Sequence, residues 1–313
     1  MTLAKNPRLN IPPVYIEPRD FADYLTIQQD YCLFLDIDGT LADFTLDPKD
    51  SSIPDTTLSL IKDIQSCGVE IGVVTGRSLA EAKQMLSPIQ VPIAATHGLE
   101  IEFDRNEAQS TNYDNSDTLQ FDNTELSAIK LAITQSCKPY KDFTIEDKPY
   151  SVALHYRQNP DLADTAYAIM AKTVKNHGNW TLKQGKYVWE AVPKGADKGA
   201  AILTLLKKIQ TDHNLCPIFI GDDITDETGF SAIQQEDALS DNTSMTQLGQ
   251  PIKGMGIKVG SEATCAHYYI HDITEVTALL RSFLAFCQNR ATLLSESTAP
   301  NDFITKKTTR CLI

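Results

Sequence analysis

Two carboxylates that lie two residues apart are the most distinctive chemical feature of this sequence. Asp36 and Asp38 belong to the segment LFLDIDGTLADF, residues 33–44, which begins with three apolar residues typical of a buried strand. A carboxylate at the end of such a strand can accept a phosphoryl group covalently, which divides a slow hydrolysis into two displacements. In an extended segment both side chains share one side, so Asp38 can protonate the leaving oxygen and then deprotonate water. For the D-x-D pattern alone, an ordinary Asp-Gly turn would be the better interpretation.

Further polar groups follow other predicted strands. Thr75 comes directly after the apolar segment VEIGVV, and the acidic segment GDDITDE, residues 221–227, overlaps the end of the apolar segment CPIFIG. Lys198 opens the helix that leads into that last strand. Because ligands of open parallel sheets bind beyond the carboxyl ends of the strands, we expect these groups to meet Asp36. Thr75 is then predicted to hydrogen-bond the phosphoryl oxygens, and Lys198 to neutralise their charge, although a lysine at a helix start is also an ordinary solvated residue.

The acidic segment also predicts a metal site. Asp222 and Asp223, brought beside Asp36, would supply several carboxylate oxygens, which are the ligands that a hard cation prefers. We predict Mg²⁺ as the cofactor, because it binds one or two carboxylates together with a phosphate oxygen of the substrate. Asp226 and Glu227 also fit the first turn of a helix, where acids complement the helix dipole.

The elements around these groups alternate between strand and helix patterns. Before residue 110, apolar strand segments are separated by one helix that opens at Pro54 and another that opens at Ser78, whose capping-box partner is Glu81. After residue 192 the alternation resumes, and it closes with an amphipathic helix over residues 273–287. This order predicts an α/β fold with a parallel sheet and helices packed on it.

A region of different character, residues 113–192, interrupts that alternation. It predicts two helices and four short strands, FTIEDK, YSVALHYR, WTLKQG and KYVWEAV, whose tight connections are typical of an antiparallel sheet. Period-two alternation gives this sheet an apolar face for the helices and a polar face. A solvated sheet would look the same, but the mixture of acids and bases favours a surface for a phosphorylated polyol. The side chains of that face include Glu146, Lys148, Ser151, His155, Arg157, Lys186 and Glu190.

The predicted domain organisation has four parts. Residues 1–30 form an N-terminal lead-in without an assigned function, residues 31–112 and 193–290 form the core, residues 113–192 form an inserted substrate-specificity domain, and residues 291–313 form a flexible tail.

The composition disfavours several classes of partner. The 313 residues carry a formal net charge of -13 and contain no basic run, which argues against nucleic acid and anionic membranes. No apolar run reaches the length of a membrane span, and the N-terminus lacks the apolar stretch of a signal peptide, so we expect a cytoplasmic location. The seven cysteines show no metal-binding spacing and are predicted to be reduced packing residues. We expect a small-molecule substrate and a monomer, although the residues leave the oligomeric state open.

The motifs resemble those of the haloacid dehalogenase-like (HAD) phosphatase superfamily. They are D-x-D-G-T at residues 36–40, a threonine after the second strand, a lysine before the last motif, and G-D-D-x-x-D at residues 221–226. The insertion resembles the cap of the sugar-phosphatase branch, and the segments IEDK, HYR and GKYVWE resemble the trehalose-6-phosphate phosphatase family. The similarity covers about residues 31–286. It implies a Rossmann-like parallel core with an inserted α+β cap, and Mg²⁺-dependent hydrolysis of trehalose 6-phosphate, the last step of trehalose biosynthesis.

The resemblance also implies a role for each matching residue. Asp36 would be the nucleophile and Asp38 the acid/base, and the metal ligands would be Asp36, the Asp38 backbone carbonyl and Asp222. The residues implied to contact the phosphoryl group are Thr75 and Lys198, and those implied to bind substrate are Gly76, Arg77, Glu146, Lys148, Arg157, Lys186 and Glu190. Two positions depart from the family pattern, since Ile37 replaces a frequent aromatic residue and Asp43 a frequent proline. Neither position supplies a catalytic group, but both can alter the entrance to the site.

Three alternatives stay open at this point. The first is a phosphatase for sucrose 6-phosphate or a glycosyl phosphoglycerate. The second is a phosphomutase, which would transfer the phosphoryl group to a sugar. The third is a regulatory module that binds sugar phosphates without turnover, and the presence of both Asp36 and Asp38 counts against it.

Overall fold

The computed structural model describes residues 12–45, 47–103, 123–209, 214–234 and 253–297, and all structural statements below refer to these ranges. The polar loop predicted around residues 109–120, the first eleven residues and the tail beyond residue 297 lie outside them.

The described chain contains twelve strands and seven α-helices. The strands are β1 (Val14–Tyr15), β2 (Asp30–Leu35), β3 (Glu70–Val74), β4 (Ile93–Ala95), β5 (Glu100–Glu102), β6 (Thr144–Asp147), β7 (Val152–His155), β8 (Trp180–Gly185), β9 (Val188–Pro193), β10 (Leu215–Gly221), β11 (Met255–Val259) and β12 (Tyr268–Ile270). The helices are α1 (Asp55–Ser66), α2 (Leu79–Leu86), α3 (Asn123–Cys137), α4 (Ala163–Val174), α5 (Lys198–Ile209), α6 (Glu227–Ile233) and α7 (Ile273–Ser297).

The larger sheet has eight strands in the order β1-β12-β11-β10-β2-β3-β4-β5. All its neighbouring strands are parallel except β4 and β5, which pair antiparallel at one edge. The central strand β2 is buried on both faces, which explains its almost uninterrupted apolar sequence. Leu33 and Leu35 pack with residues of α1, α2 and α7 on one face, whereas Cys32 and Phe34 pack with α5 and α6 on the other. The predicted α/β core is therefore confirmed.

The N-terminal lead-in is part of this core, which the sequence did not predict. Val14 and Tyr15 add a parallel strand to β12 at the sheet edge. Ile16 and Phe21 are fully buried, and the Phe21 ring lies 6.1 Å from that of Phe283 on α7. These apolar residues complete the packing of α7, so residues 14–25 belong to the core rather than preceding it.

The final helix is also longer than predicted. It continues to Ser297, past both the helix end predicted at residue 287 and the core boundary predicted at residue 290. Helix α7 contacts both α1 and the short 3₁₀ segment Pro18–Tyr24, which supports it along one side. None of the described helices is long and apolar enough to cross a membrane.

The region between β5 and α5 forms the cap. Its antiparallel sheet has the order β6-β7-β9-β8, and helices α3 and α4 pack on one face of it. Val152, Leu154 and Tyr156 lie on that apolar face, as their spacing predicted. Period-two alternation also predicts Tyr187 on the apolar face, but it lies in the turn between β8 and β9 with a φ of 61° and is 40% exposed. The opposite, polar face of the sheet covers the carboxyl ends of the core strands.

Candidate active site

Asp36, at the centre of the site, is the first residue after β2. The Asp36 amide donates to the Ile220 carbonyl of β10 at 3.1 Å, which fixes the first residue after the strand. Gly39 then turns the backbone at a φ of +78°, and a Cβ at this position would lie only 2.2 Å from Oδ2 of Asp222. A glycine is required here, because any side chain would displace the neighbouring carboxylate.

Three buried carboxylates meet around one buried lysine. One carboxylate oxygen from each of Asp36, Asp222 and Asp226 lies within 4.8 Å of the others. Lys198, at the first position of α5, places its Nζ 3.0 Å from Asp36 Oδ1 and 2.8 Å from Asp226 Oδ1. Lys198 and Asp226 are 2% and 0% exposed, so both charges are removed from water and depend on each other.

One ammonium faces three carboxylates in this cluster, so ionisation of all three is unfavourable without a further cation. Burial raises the pKa of Asp36, against the opposing effect of the Lys198 ammonium, and Asp226 and Asp38 raise it further. Burial, followed by the nearby charges of Asp36 and Asp226, likewise raises the pKa of Asp222. One ammonium therefore does not compensate three carboxylates.

The donor set fits a hard divalent cation. Asp222 Oδ1 is buried and has no hydrogen-bond partner among the described residues, so it offers a free ligand oxygen. Asp36 and Asp226 add carboxylate oxygens at short range, and oxygen ligands are those of Mg²⁺ or Ca²⁺ rather than of softer metals. A bound divalent cation would also reverse the upward pKa shifts at Asp36 and Asp222.

Asp38 and Arg77, both predicted site residues, are paired with each other. Arg77 Nε donates to Asp38 Oδ2 at 2.8 Å, and Nη2 donates to Oδ1 at 2.6 Å. The carboxylate of Asp38 is therefore held by a guanidinium fork and is not part of the acidic cluster, where Asp226 takes the third position. The role of the Asp38 carbonyl as a metal ligand stays a prediction.

Thr75 and Gly76 are the first two residues after β3. Thr75 is fully buried, its hydroxyl oxygen accepts the Arg77 amide at 3.1 Å, and it is not among the described residues that line the pocket. The Gly76 carbonyl accepts a hydrogen bond from Lys148 Nζ at 2.8 Å. Because Lys148 belongs to the cap, this bond joins the cap directly to the loop beside Asp36.

Glu190 is the centre of the polar face of the cap. It accepts hydrogen bonds from Lys148 Nζ at 3.1 Å and from Ser151 Oγ at 2.5 Å, and its other oxygen lies 3.2 Å from His97 Nε2 of the core. Burial would raise the pKa of Glu190, but the charge of Lys148 and the bonds to His97 and Ser151 hold it well below its usual range. Burial also lowers the pKa of His97, so a neutral imidazole donates its Nε2 proton to the carboxylate.

Most of the predicted site residues meet in one pocket between core and cap. Those that line it are Asp36, Asp38, Gly76, Arg77, Glu146, Lys148, Arg157, Lys186, Glu190 and Lys198. Glu146 accepts a hydrogen bond from His155 Nε2 at 2.8 Å, which fixes it beside Lys148. Asp223 also lines the pocket, but it caps the following turn by accepting the Ile224 amide at 2.6 Å and is not part of the acidic cluster.

Several site residues were missed from the sequence. Asp226 was assigned no role beyond a possible helix-dipole contact, but it is the second partner of Lys198. His97 lies in the connection between β4 and β5, has a φ of 56° and lines the pocket. Lys183 of the cap also lines the pocket, and its Nζ lies 4.0 Å from a carboxylate oxygen of Asp197. Lys258 of β11 donates to the Asp222 carbonyl. In the sequence, only the G-D-D-x-x-D spacing gave a signal, and that signal concerned Asp226.

Comparison with known proteins gives consistent matches over most of the chain. A family model described as trehalose-phosphatase matches residues 34–272. The trehalose-6-phosphate phosphatase of Escherichia coli (strain K12) is 26% identical over 261 residues, 83% of this chain and 89% of the relative. A probable trehalose-phosphate phosphatase of Sinorhizobium fredii (strain NBRC 101917 / NGR234) is 33% identical over 236 residues, 74% of this chain and 83% of the relative.

Solved structures share the fold. The C-terminal domain of C. albicans trehalose-6-phosphate phosphatase matches with a TM-score of 0.70 at 21% identity, over 90% of this chain and 99% of that chain. A trehalose-6-phosphate phosphatase related protein matches with a TM-score of 0.60 at 22% identity, over 83% of this chain and 99% of that chain. These structures thus share the parallel α/β core with an inserted α+β cap.

Proposed function

The chain belongs to the trehalose-phosphatase family, and on this premise we propose that it is a phosphoric monoester hydrolase that converts trehalose 6-phosphate to trehalose and phosphate. The observation that carries the proposal is the pocket itself. Asp36 and Asp38 of the core line it together with Glu146, Lys148 and Glu190 of the cap. A phosphate ester at Asp36 would thus place its sugar against the polar face of the cap.

The first step transfers the phosphoryl group to the protein. A carboxylate oxygen of Asp36 attacks phosphorus, the bond from phosphorus to the sugar oxygen breaks, and Asp38 gives a proton to that oxygen so that trehalose leaves neutral. Lys198 Nζ, 3.0 Å from Asp36, offsets the negative charge on the phosphoryl oxygens. Proton donation requires that Asp38 first give up part of its bidentate contact with Arg77.

The second step releases phosphate. Asp38 removes a proton from water, the water oxygen attacks phosphorus, and the Asp36 carboxylate leaves. Asp38 is oriented for this role, because the Arg77 guanidinium donates to both of its carboxylate oxygens. The proton taken from water replaces the one that Asp38 gave to trehalose in the first step, so the protein is regenerated.

We propose Mg²⁺ as the cofactor and Asp36 and Asp222 as the residues that would hold it. A carboxylate oxygen of Asp226 lies within 4.8 Å of theirs. When bound, the cation allows an anionic nucleophile to approach an anionic ester by neutralising both. The support is the free, buried Oδ1 of Asp222 and the uncompensated charge of the three carboxylates.

Recognition of the disaccharide is proposed for the polar face of the cap. Carboxylates of Glu146 and Glu190 can accept hydrogen bonds from sugar hydroxyls, and Lys148, Arg157 and Lys186 can donate to sugar oxygens. Closing this face over the core excludes bulk water from Asp36. The cytoplasmic location and the monomeric state stay predictions.

Phosphate release from a panel of sugar phosphates tests the proposed function. We expect turnover of trehalose 6-phosphate with Mg²⁺, its loss when a chelator removes the metal, and much slower turnover of sucrose 6-phosphate and glucose 6-phosphate. Equal or faster hydrolysis of sucrose 6-phosphate would contradict the proposed substrate. Transfer of the phosphoryl group to sugar instead of water would indicate a phosphomutase.

Glu190→Gln is expected to separate sugar recognition from phosphoryl transfer. The substitution removes the charge that Lys148 and His97 contact while keeping the size of the side chain. We expect kcat/KM for trehalose 6-phosphate to fall by about thirtyfold or more, because a buried hydrogen-bonding site loses its charged acceptor. For a small aryl phosphate, which does not reach the cap, we expect a much smaller fall.

The matched control is Glu102→Gln, since Glu102 also pairs with a lysine, Lys83 at 2.6 Å, but at the protein surface. Both substrates should be hydrolysed by this variant as by the wild type. A fall of the same size for both substrates in Glu190→Gln would contradict the assigned role.

A further inference from the structure

The ring of Phe44 lies beneath two cations of the cap. The Arg157 guanidinium carbon is 5.1 Å from the ring centroid, and Lys186 Nζ is 4.6 Å from it. All three residues line the pocket. Phe44 belongs to the core, eight residues after the proposed nucleophile, whereas Arg157 and Lys186 belong to the cap, so these contacts join the two parts at the proposed substrate site.

Neither cation has a carboxylate partner among the described residues. Arg157 donates from Nη1 to the Thr45 carbonyl, and its Nε is buried without a partner there. Lys186 forms no ion pair with a described carboxylate, and its Nζ lies over the Phe44 ring. Other pocket cations differ, because Arg77 pairs with Asp38 and Lys148 pairs with Glu190.

The edge of the Phe44 ring packs against the loop that follows Asp36. Its Cε2 lies 2.5 Å from where a Cβ on Gly39 would be, so the ring edge contacts the backbone of that loop. The ring therefore lies between the nucleophile loop and the two cations of the cap.

A cation that contacts an aromatic face keeps its charge and its N–H donors available to a ligand, unlike a cation that pairs with a carboxylate. The negative face of the ring attracts a cation and orients it, but it does not cancel the charge and does not occupy its N–H donors. A carboxylate would hold the same cations more strongly and would compete with the oxygens of an incoming ligand. Burial already lowers the pKa of Arg157, which is consistent with a guanidinium not neutralised by a contacting acid.

We propose that Phe44 is a specificity-determining positioning residue, which orients Arg157 and Lys186 for a phosphorylated disaccharide through its ring face without neutralising them. The inference rests on the proposed function, since it assumes that these two cations contact the substrate. It gives the core residue Phe44 a part in the disaccharide recognition that is proposed for the polar face of the cap. Phe44 itself acts through the two cations.

The first test compares Phe44→Leu with Phe44→Trp. Leucine keeps an apolar side chain but has no π-face, and we expect it to raise KM for trehalose 6-phosphate by about fivefold to twentyfold with a smaller change in kcat. Tryptophan has a stronger π-face, so KM should stay closer to that of the wild type. The rise in KM should be larger for trehalose 6-phosphate than for a small aryl phosphate.

The matched control is Phe103→Leu. Phe103 lies beneath Lys208 at 5.9 Å, outside the pocket, and its replacement should leave KM unchanged. An equal rise in KM in this control would indicate a general loss of packing and would overturn the inference.

A second test isolates the ring face from packing. Phenylalanine at position 44 is replaced by its mono-, di- and trifluorinated forms, which weaken the negative face stepwise while changing the ring's size little. We expect log KM for trehalose 6-phosphate to rise in step with the number of fluorines. A KM that is independent of fluorination would overturn the proposal even if Phe44→Leu is impaired.

The wild-type protein in the same assay keeps the two claims apart. If the wild type does not hydrolyse trehalose 6-phosphate, the proposed function fails. If the wild type is active but the fluorinated series is flat, only the role of Phe44 fails.

Discussion

Replacement of Asp36 by asparagine is expected to reduce phosphate release from trehalose 6-phosphate by at least about a thousandfold, because the amide is a far weaker nucleophile than the carboxylate. The amide also supplies a poorer metal ligand beside Asp222. The measurement is kcat at saturating Mg²⁺ and substrate.

The same variant should fold at least as well as the wild type. Burial raises the pKa of Asp36, which means that its charge opposes folding, so a neutral side chain of equal size relieves repulsion with Asp222 and Asp226. In buffer that contains a chelator, we expect a Tm equal to or above that of the wild type. The control is Asp63→Asn, because Asp63 is exposed on α1, and its activity should be unchanged. Full Mg²⁺-dependent activity of the Asp36 variant would contradict the covalent mechanism.

Lys198→Met is expected to have the second largest effect, on activity and stability together. Removal of the ammonium leaves Asp36 and Asp226 buried without their common partner. Breaking a buried pair on one side costs about 3–5 kcal/mol in free energy of unfolding. Loss of the charge that faces the phosphoryl oxygens should reduce kcat by about a hundredfold or more.

A double variant separates these two effects. In Lys198→Met/Asp226→Asn, one of the unpaired carboxylates becomes neutral, and we expect part of the stability to return while kcat stays low. The measurements are denaturant unfolding for stability and phosphate release for activity. Recovery of activity together with stability would show that Lys198 acts only on the fold.

The centre of the site could be predicted from the sequence because strand ends in a parallel sheet meet at one edge. Asp36, Lys198 and Asp222 all follow or precede apolar segments, and their convergence needs only the order of the strands. The polar face of the cap was predictable for a similar reason, since alternation fixes which side chains share a face. Glu146 on β6 and Glu190 on β9 illustrate this, because both pair with Ala153 of β7, the strand that lies between them.

The contacts between core and cap could not be predicted in this way. His97 meets Glu190 only because the two domains close on each other, and a sequence separation of 93 residues gives no local signal. The pairing of Arg77 with Asp38 was not predicted either. Asp38 was implied to be the acid/base and Arg77 to bind substrate, whereas in the structure the two side chains form an ion pair. Phe44 gave no signal either, since an isolated aromatic residue after a turn fits many environments.

Edges and termini were also beyond the sequence patterns. β5 looks like the strands before it, but it follows β4 after a very short connection, which permits only antiparallel pairing. β1 has only two residues, too few to show alternation. β1 and β5 are the two edge strands of the larger sheet, so their positions depend on the order of all the strands between them.

Chemical trapping of the phosphorylated protein tests the central claim most directly. The wild-type enzyme is quenched in acid during turnover of trehalose 6-phosphate with Mg²⁺, and borohydride then reduces any acyl phosphate to an alcohol. We predict that peptide mass mapping finds homoserine in place of Asp36, only when substrate and Mg²⁺ are both present. Reduction at a different aspartate, or rapid turnover with no modified residue at any quench time, would contradict the account.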